Sequence, residues 1–360
     1  MGQQTPNRLL TNFPPEREKV ETIEILRAAN KATAALAELK GIGKTLPNQS
    51  MLINAIVLKE AKGSSEIENI ITTHDELYKA LAINSSNTTL ATKEVVNYRK
   101  AVFTGFDFVK QQGFLRFGDI LLIQKELTGN NAGIRTMPGT VLKSDLTGET
   151  VYTPPQDKQE ILDLLSGFID YFNTPSTEIS PLINLAILHH QFESIHPFYD
   201  GNGRTGRILN ILYLIMNGLM DIPILYLSSF IIENKKDYYR LLNQTNKNDE
   251  WEDWILYMLK AVEVTSLQTI EKITAIKNLL DKTIEKVQAE SPKIYRKELV
   301  ELLFEQPYSK IEFVVNQLKV ERKAASRYLQ DLERIGVLKS QKVGRETLYI
   351  NKELFELLIK

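Results

Sequence analysis

The stretch HPFYDGNGRTGR occupies residues 196–207, between two helical patterns, and decides how the rest of the chain reads. Gly201, Asn202 and Gly203 are residue types that accept left-handed backbone, so a tight turn is expected there. Such a turn points successive backbone N–H groups inward as a nest for an anion. A helix is expected to start directly after it, adding unpaired N–H groups and the positive end of its dipole. Arg204 and Arg207 stand three apart on that helix and share a face, a two-point fork for phosphate oxygens. Asp200, just before the nest, is placed to hold Mg²⁺, which takes one or two carboxylates plus phosphate oxygens. His196 titrates near neutrality, as a general base should. A base, a metal ligand, a phosphate nest and an arginine clamp are the parts needed to transfer a phosphorus-centred group to a hydroxyl. An isolated histidine or Gly-rich loop is ordinarily a core residue or a turn, but nine defined positions coinciding by chance has odds on the order of 10⁻⁸.

The surrounding chain sets limits on this reading. Its 360 residues are enough for two or three domains. A net charge of −1 excludes a molecule built as a whole to coat nucleic acid, so basic surface must be local. Cysteine is absent, which excludes disulfides and thiolate metal sites and fits a reducing compartment. The start MGQQTPNRLL lacks the apolar core of a signal peptide, and Pro6 stands where a myristoylation signal takes Ser or Thr. The apolar run ILNILYLIMNGLM is too short to span a bilayer. A cytoplasmic protein without membrane attachment is expected.

Periodicity predicts helices over residues 16–39, 51–61, 92–112, 158–172, 179–194, 229–246 and 251–289, one from the loop to about Gly218, and one capped by Thr73 or Asp75. Gly63 is expected to stop the second helix, with Ser64-Ser65 capping a short new segment. GIGKT at residues 41–45 lacks the spacing of a P-loop and reads as a connection. Residues 133–155 carry β-formers on both sides of a turn-rich centre at 144–148, the pattern of a hairpin. Ser291-Pro292 marks a boundary. Beyond it, helices at 293–304, 311–318 and 322–335 precede a strand–turn–strand pattern, VLKSQKVGRETLYIN, the order of a winged helix-turn-helix. The expected organisation is a helical region at 1–110, a catalytic domain at 111–290 and a winged helix-turn-helix domain at 291–360.

The quoted segment resembles the signature of the Fic family, His-x-Phe-x-Asp/Glu-Gly-Asn-Gly-Arg-x-x-Arg, without departure at a fixed position, and the similarity extends over about residues 50–260. It implies a mainly α Fic-type bundle with a β-hairpin flap. It also implies transfer of AMP from ATP to Ser, Thr or Tyr hydroxyls of target proteins, or of the protein itself. By that resemblance His196 deprotonates the target hydroxyl, Asp200 binds Mg²⁺, and Phe198 anchors the loop. Gly201, Asn202, Gly203, Arg204, Thr205, Gly206 and Arg207 bind the phosphates. Residues 141–152 look like the flap that clamps the target by strand addition. ENKKDYYRLLNQTN resembles the nucleoside-binding helix, with Glu233, Tyr238, Tyr239, Leu242 and Asn246 as candidates. SSEIEN, residues 64–69, is similar to the family's inhibitory motif, with Ser64, Glu68 and Asn69 at its fixed positions. Glu68 would then form a bidentate pair with Arg207 where the γ-phosphate belongs. The same carboxylate is a candidate for orienting water in removal of AMP. A homodimer is compatible with all of this, though no periodic interface marks one.

A rival class is a DNA-binding regulator acting through the winged helix, with Arg322, Lys323, Arg327 and Arg334 on the recognition helix and Lys339, Lys342 and Arg345 in the wing. A third reading keeps the fold and changes the nucleotide donor. His189, His190, Trp251 and Trp254 read as packing residues, and His74 as a surface residue.

Overall fold

The computed structural model describes residues 8–46, 48–83, 88–143 and 148–359. Among these the chain forms α1 (Arg8–Thr11), α2 (Arg17–Val20), α3 (Ile23–Gly43), α4 (Gln49–Ile67), α5 (His74–Ala82), α6 (Leu90–Gln112) and α7 (Phe117–Thr128). A hairpin follows, β1 (Leu142–Lys143) and β2 (Thr150–Tyr152), then α8 (Lys158–Asn173), α9 (Pro181–Ile195), α10 (Asn202–Met216), α11 (Leu227–Glu233), α12 (Lys235–Asn248) and α13 (Glu252–Glu290). The remainder is α14 (Lys297–Glu305), β3 (Tyr308–Ser309), α15 (Ile311–Leu318), α16 (Arg322–Arg334), β4 (Lys339–Val343), β5 (Glu346–Ile350) and α17 (Lys352–Ile359). The expected mainly α architecture holds. The Pro6 reading and most of the hairpin's turn, residues 144–147, lie outside the described residues.

The helices on either side of the quoted loop are the centre of the bundle. From Leu182 to Ile195 every residue of α9 is buried, and so is every residue of α10 from Asn202 to Ile215. Cover comes from all sides: α9 packs on α3, α8, α10 and α13 while α10 packs on α4, α6, α7 and α9. The loop joining them therefore opens at the end of the most enclosed helix pair.

Several boundaries differ from expectation for identifiable reasons. Gly63 does not stop α4, which runs on to Ile67. It is a close-approach glycine: a Cβ there would lie 3.0 Å from the Tyr226 hydroxyl oxygen. Ser64 and Ser65 are consequently buried in the last turn of α4 rather than capping a new segment. The stretch GIGKT is not all connection, because α3 reaches Gly43. The single helix expected over 229–246 is two, broken at Asn234 (φ −120°, ψ 30°), whose amide bonds back to the Phe230 carbonyl. Helix α7, the short strand β3 and helix α17 are additions to the sequence reading. Thr73, rather than Asp75, caps α5, through a reciprocal box with Glu76.

The change of composition at Ser291-Pro292 is not a break in packing. Helix α13 spans 39 residues and packs on α3 and α9 along one part and on α14 and α17 along the other. The C-terminal unit also meets the N-terminal helices. The Tyr308 ring stacks on Tyr78 at 5.9 Å, its hydroxyl donates to Asp75 at 2.5 Å, and the Asn48 amide donates to Glu305 at 2.9 Å. Its strands run in the order β3-β5-β4, all antiparallel. Arg322, Lys323, Arg327 and Arg334 of α16 are all exposed, and Arg334 also donates to the Ser291 hydroxyl at 3.2 Å. No helix of the described residues is long and apolar enough to cross a membrane.

Candidate active site

His196 closes α9 in the left-handed region (φ 48°, ψ 59°), its N–H donating to the Phe192 carbonyl at 3.1 Å. A non-glycine residue in that region is held there by its surroundings, and here the chief restraint is Arg135. The Arg135 Nε donates to the His196 carbonyl at 2.7 Å, its Nη2 reaches the carbonyls of Pro155 and Ile195, and its own N–H donates to Pro197 O at 3.0 Å. Ile134 bridges Phe198 in antiparallel fashion beside it. Phe198 is fully buried, under the loop, as expected of an anchor.

Asn202 braces the turn from inside. Its Oδ1 accepts from the Phe198 N–H and its Nδ2 donates to the Phe198 carbonyl, both at 2.8 Å. The side chain is thus occupied by the loop itself, and only its backbone faces the nest as an anion donor. Gly201 has φ 81°, and a Cβ there would meet Thr128 Cγ2 at 2.9 Å, so both backbone and space demand glycine. Gln124 of α7 holds the next carbonyl, donating to Asp200 O at 3.1 Å. Thr205 and Gly206 turn inward instead of toward a ligand: the Thr205 side chain is buried, and a Cβ on Gly206 would lie 2.4 Å from Glu193 Oε1.

Both arginines of the loop are buried and both are held by carboxylates, though not by the same ones. Arg207 donates from Nε to the Ser64 hydroxyl at 2.7 Å, and from Nη2 to the Ser64 carbonyl at 2.8 Å and to Glu68 Oε1 at 2.9 Å. The contact with Glu68 is single rather than bidentate: Ser64 takes the Nε–H and the second N–H of Nη2. Arg204 donates to Glu94 at 2.8 Å and to Asp200 at 3.1 Å. Gly203 sits between the Glu68 and Arg207 side chains; a Cβ there would be 2.4 Å from Glu68 Oε1 and 3.0 Å from Arg207 Nη1. Asn69 lies beyond the helix at φ 62°, so its visible part is to end α4 and turn the chain.

These surroundings set the protonation states. Burial pushes His196 down to about 4, with the Arg135 charge adding to it and the Glu193 backbone and Glu68 opposing. At neutral pH the imidazole is neutral, the form a base requires. Burial by itself would raise Glu68, but the charge and hydrogen bond of Arg207, with Arg204 and His196, hold it below the usual carboxylate range. Burial opposes the Arg207 charge, yet Glu68, Tyr238 and Glu193 keep it firmly protonated. Glu193, buried behind the loop, is pushed up to about 7 by desolvation against the pull of Arg207.

The nucleoside candidates divide. Tyr238 is a core residue, its hydroxyl 2.9 Å from His189 Nε2 and its ring among Tyr239, Trp254 and Tyr257. Glu233 lines a cavity of about 960 Å³ between α4, α11, α13 and α17 that no residue of 196–207 reaches. Half-buried His74 lines the same cavity, so it is not the plain surface residue expected. Tyr239 is exposed on α12, Leu242 is buried, and the Asn246 Oδ1 is buried without a protein partner among the described residues. His190, Trp251 and Trp254 pack together in the core. Sequence reasoning missed Arg135, Gln124, Glu94 and Glu193. Glu193, three residues before His196, had the one local signal: the single carboxylate of a helix with no lysine or arginine.

A helical pair closing on a glycine-rich turn, with a neutral imidazole on one side and two arginines on the other, is chemically suited to handling a phosphate ester. Three adjoining family models match the chain: Fic/DOC family N-terminal over residues 26–107, Fic/DOC family over 114–214, and protein adenylyltransferase SoFic-like, C-terminal domain, over 279–354. The chain belongs to the Fic/DOC family. It is 29% identical over 145 residues to protein adenylyltransferase fic-1 of Caenorhabditis elegans, covering 40% of this chain and 27% of that protein. To a Fido domain-containing protein of Dictyostelium discoideum it is 39% identical over 95 residues, 26% of this chain and 65% of that one. The chain spans 21–35% of the length of the adenylyltransferases of C. elegans, Caenorhabditis briggsae and Nematostella vectensis that it matches. Among solved structures, a Fic family protein from Desulfovibrio desulfuricans aligns with TM-score 0.59 at 16% identity, covering 92% of this chain and 96% of that one. C. elegans Fic-1 aligns with TM-score 0.53 at 21% identity, covering 68% and 73%. These likenesses in structure speak to the fold alone.

Proposed function

We propose that the chain is a protein adenylyltransferase that moves AMP from ATP to a hydroxyl side chain of a target protein or of itself, restrained at rest by Glu68. The observation that carries this reading is the half-buried, neutral His196 held beside a Gly201–Gly203 nest whose helix presents Arg204 and Arg207. His196 accepts the proton of the attacking hydroxyl. The hydroxyl oxygen bonds to the α-phosphorus, the bond from that phosphorus to the bridging oxygen breaks, and pyrophosphate leaves. The N–H groups at the start of α10 and the arginine guanidinium groups take up the charge on the phosphates. Magnesium, when bound, neutralises phosphate charge, and the Asp200 carboxylate fits it: the side chain is 62% exposed at the mouth of the nest, with the remaining ligands coming from phosphate oxygens. Tyr239, Leu242 and Asn246 are the remaining candidates for the nucleoside, and the hairpin β1–β2 for the target segment. Tyr152 ties that hairpin to the last turn of α9 by donating to Ser194 O at 2.9 Å.

Restraint follows from geometry. Arg207 reaches a phosphate only when Glu68 lets go of it, and a γ-phosphate would take the place of that carboxylate. Transfer from radiolabelled ATP by the wild type and Glu68→Gly, with mapping of modified residues by mass spectrometry and other nucleotides as parallel donors, tests both parts. Label in neither form, with any donor, overturns the activity; equal label in both overturns the restraint.

A further inference from the structure

Arg204 is 2% exposed and shares two carboxylates of different kinds. Asp200 is four residues away on its own loop and 62% exposed; Glu94 comes from α6, far away in the chain, and is 37% exposed. On the adenylyl-transfer reading, on which this inference rests, Asp200 has two incompatible tasks. At rest it accepts from Arg204 at 3.1 Å; with nucleotide it must turn to the metal ion. The buried guanidinium cannot follow it outward, and a buried cation stripped of its partner is strongly unfavourable. Glu94 resolves the conflict, because its bond is to the other terminal nitrogen, Nη1, at 2.8 Å and does not depend on Asp200.

We propose that Glu94 is a positioning residue: it holds Arg204 in the loop by itself, which releases Asp200 to the metal. Without Glu94, Arg204 has Asp200 as its remaining carboxylate, and the cation must break that pair to bind. Helix α6 is suited to the task, since its first turn is fixed by the Thr89 cap and by the bond between the Thr72 and Thr92 hydroxyls at 2.7 Å.

The test is calorimetric titration of ATP into the full chain carrying Glu68→Gly, with and without Glu94→Gln, each in excess Mg²⁺ and in chelator. Neutralising Glu94 removes a negative charge near the phosphates and shifts both affinities, so the quantity to read is the ratio of the chelator Kd to the Mg²⁺ Kd. Glu94→Gln is expected to lower this ratio by about tenfold, the scale of one charge-assisted contact on a buried guanidinium. Glu94→Asp should restore most of it. In an Asp200→Asn background, Glu94→Gln should leave the ratio unchanged. A ratio within twofold of the parent, or a fall that persists with Asn at position 200, overturns the proposal. If Glu94→Gln shows no thermal unfolding transition, Glu94→Ala carries the test, with a fall of the ratio in the same direction. A Glu68→Gly parent that binds no ATP overturns the nucleotide reading and this role with it.

Discussion

Residues 196–207 and residues 64–69 meet at Arg207, yet the two are held in opposite ways. The loop is pinned from every side: Arg135 on the His196 carbonyl, Gln124 on Asp200, Asn202 on both polar groups of Phe198, and Thr128 against Gly201. The opposing segment begins as firmly, with Ser64 buried in the last turn of α4. Then it loosens: Glu68 stands past the helix end with its side chain 35% exposed and one bond to Arg207, and Asn69 turns the chain away. A catalytic surface gains from rigidity, because misplacement of a reacting group is costly in rate. A restraint has to open, and a carboxylate with a third of its surface in water keeps solvation to fall back on. On the proposed restraint by Glu68, the moving part belongs to the α4 side.

Removing the base should have the largest effect. His196→Ala is expected to lower transfer of labelled AMP by about 10³-fold, within the range for a positioned general base, while ATP binding by calorimetry stays within about threefold. A variant that still labels would mean the rigid half holds something other than the base. Next comes the brace. Asn202→Ala leaves the buried N–H and carbonyl of Phe198 without partners, costing about 2–3 kcal/mol in chemical denaturation. A loss under about 0.5 kcal/mol would show that the loop is not held from within.

The loose half should respond in the other direction. Glu68→Gly is expected to tighten ATP binding by about tenfold, since the charge-assisted bond it removes is worth roughly 1.5 kcal/mol once its solvent exposure is discounted. No change in affinity would mean that Ser64 alone positions Arg207. A smaller effect lies in pH. The His196 pKa is depressed from 6.5 to about 4, so the neutral base persists as pH falls through 6.5, and protonation favours the unfolded chain progressively below that value. The acidic limb of kcat/KM in Glu68→Gly should therefore fall below pH 5, and a limb near 6.5 would show the imidazole solvated. The smallest effect belongs to the exposed charges of α16. Arg322→Ala, Lys323→Ala and Arg327→Ala together should leave self-labelling within about twofold, since none approaches the loop. Salt-dependent binding to duplex DNA that these changes abolish would add weight to the regulator reading.

How much of this was legible in the chain depends on distance along it. The loop could be read residue by residue because base, nest and arginines are consecutive, and the helices around it because apolar periodicity is a local signal. Misreadings came where a long-range contact reversed a local preference. Gly63 looks like a stop until Tyr226 is packed on it, and Tyr238 looks like a ligand contact until His189 and Trp254 enclose it. The resemblance assigns Asn202 to the phosphates, whereas its side chain spends both polar atoms on Phe198.

By itself, then, the sequence determined the family motif, the helical character of the chain and the turn at Gly201, since each rests on neighbours in the chain and on the stereochemistry of single residues. Tertiary structure alone decided that Glu94 holds Arg204: Glu94 is one of 45 acidic residues, and nothing in its own neighbourhood announces a partner 110 positions away, whereas the motif at residues 64–69 already pointed Glu68 at Arg207. It also decided that Arg135 pins His196 in a left-handed conformation and that burial keeps that imidazole neutral, because desolvation and charge proximity are properties of the folded volume.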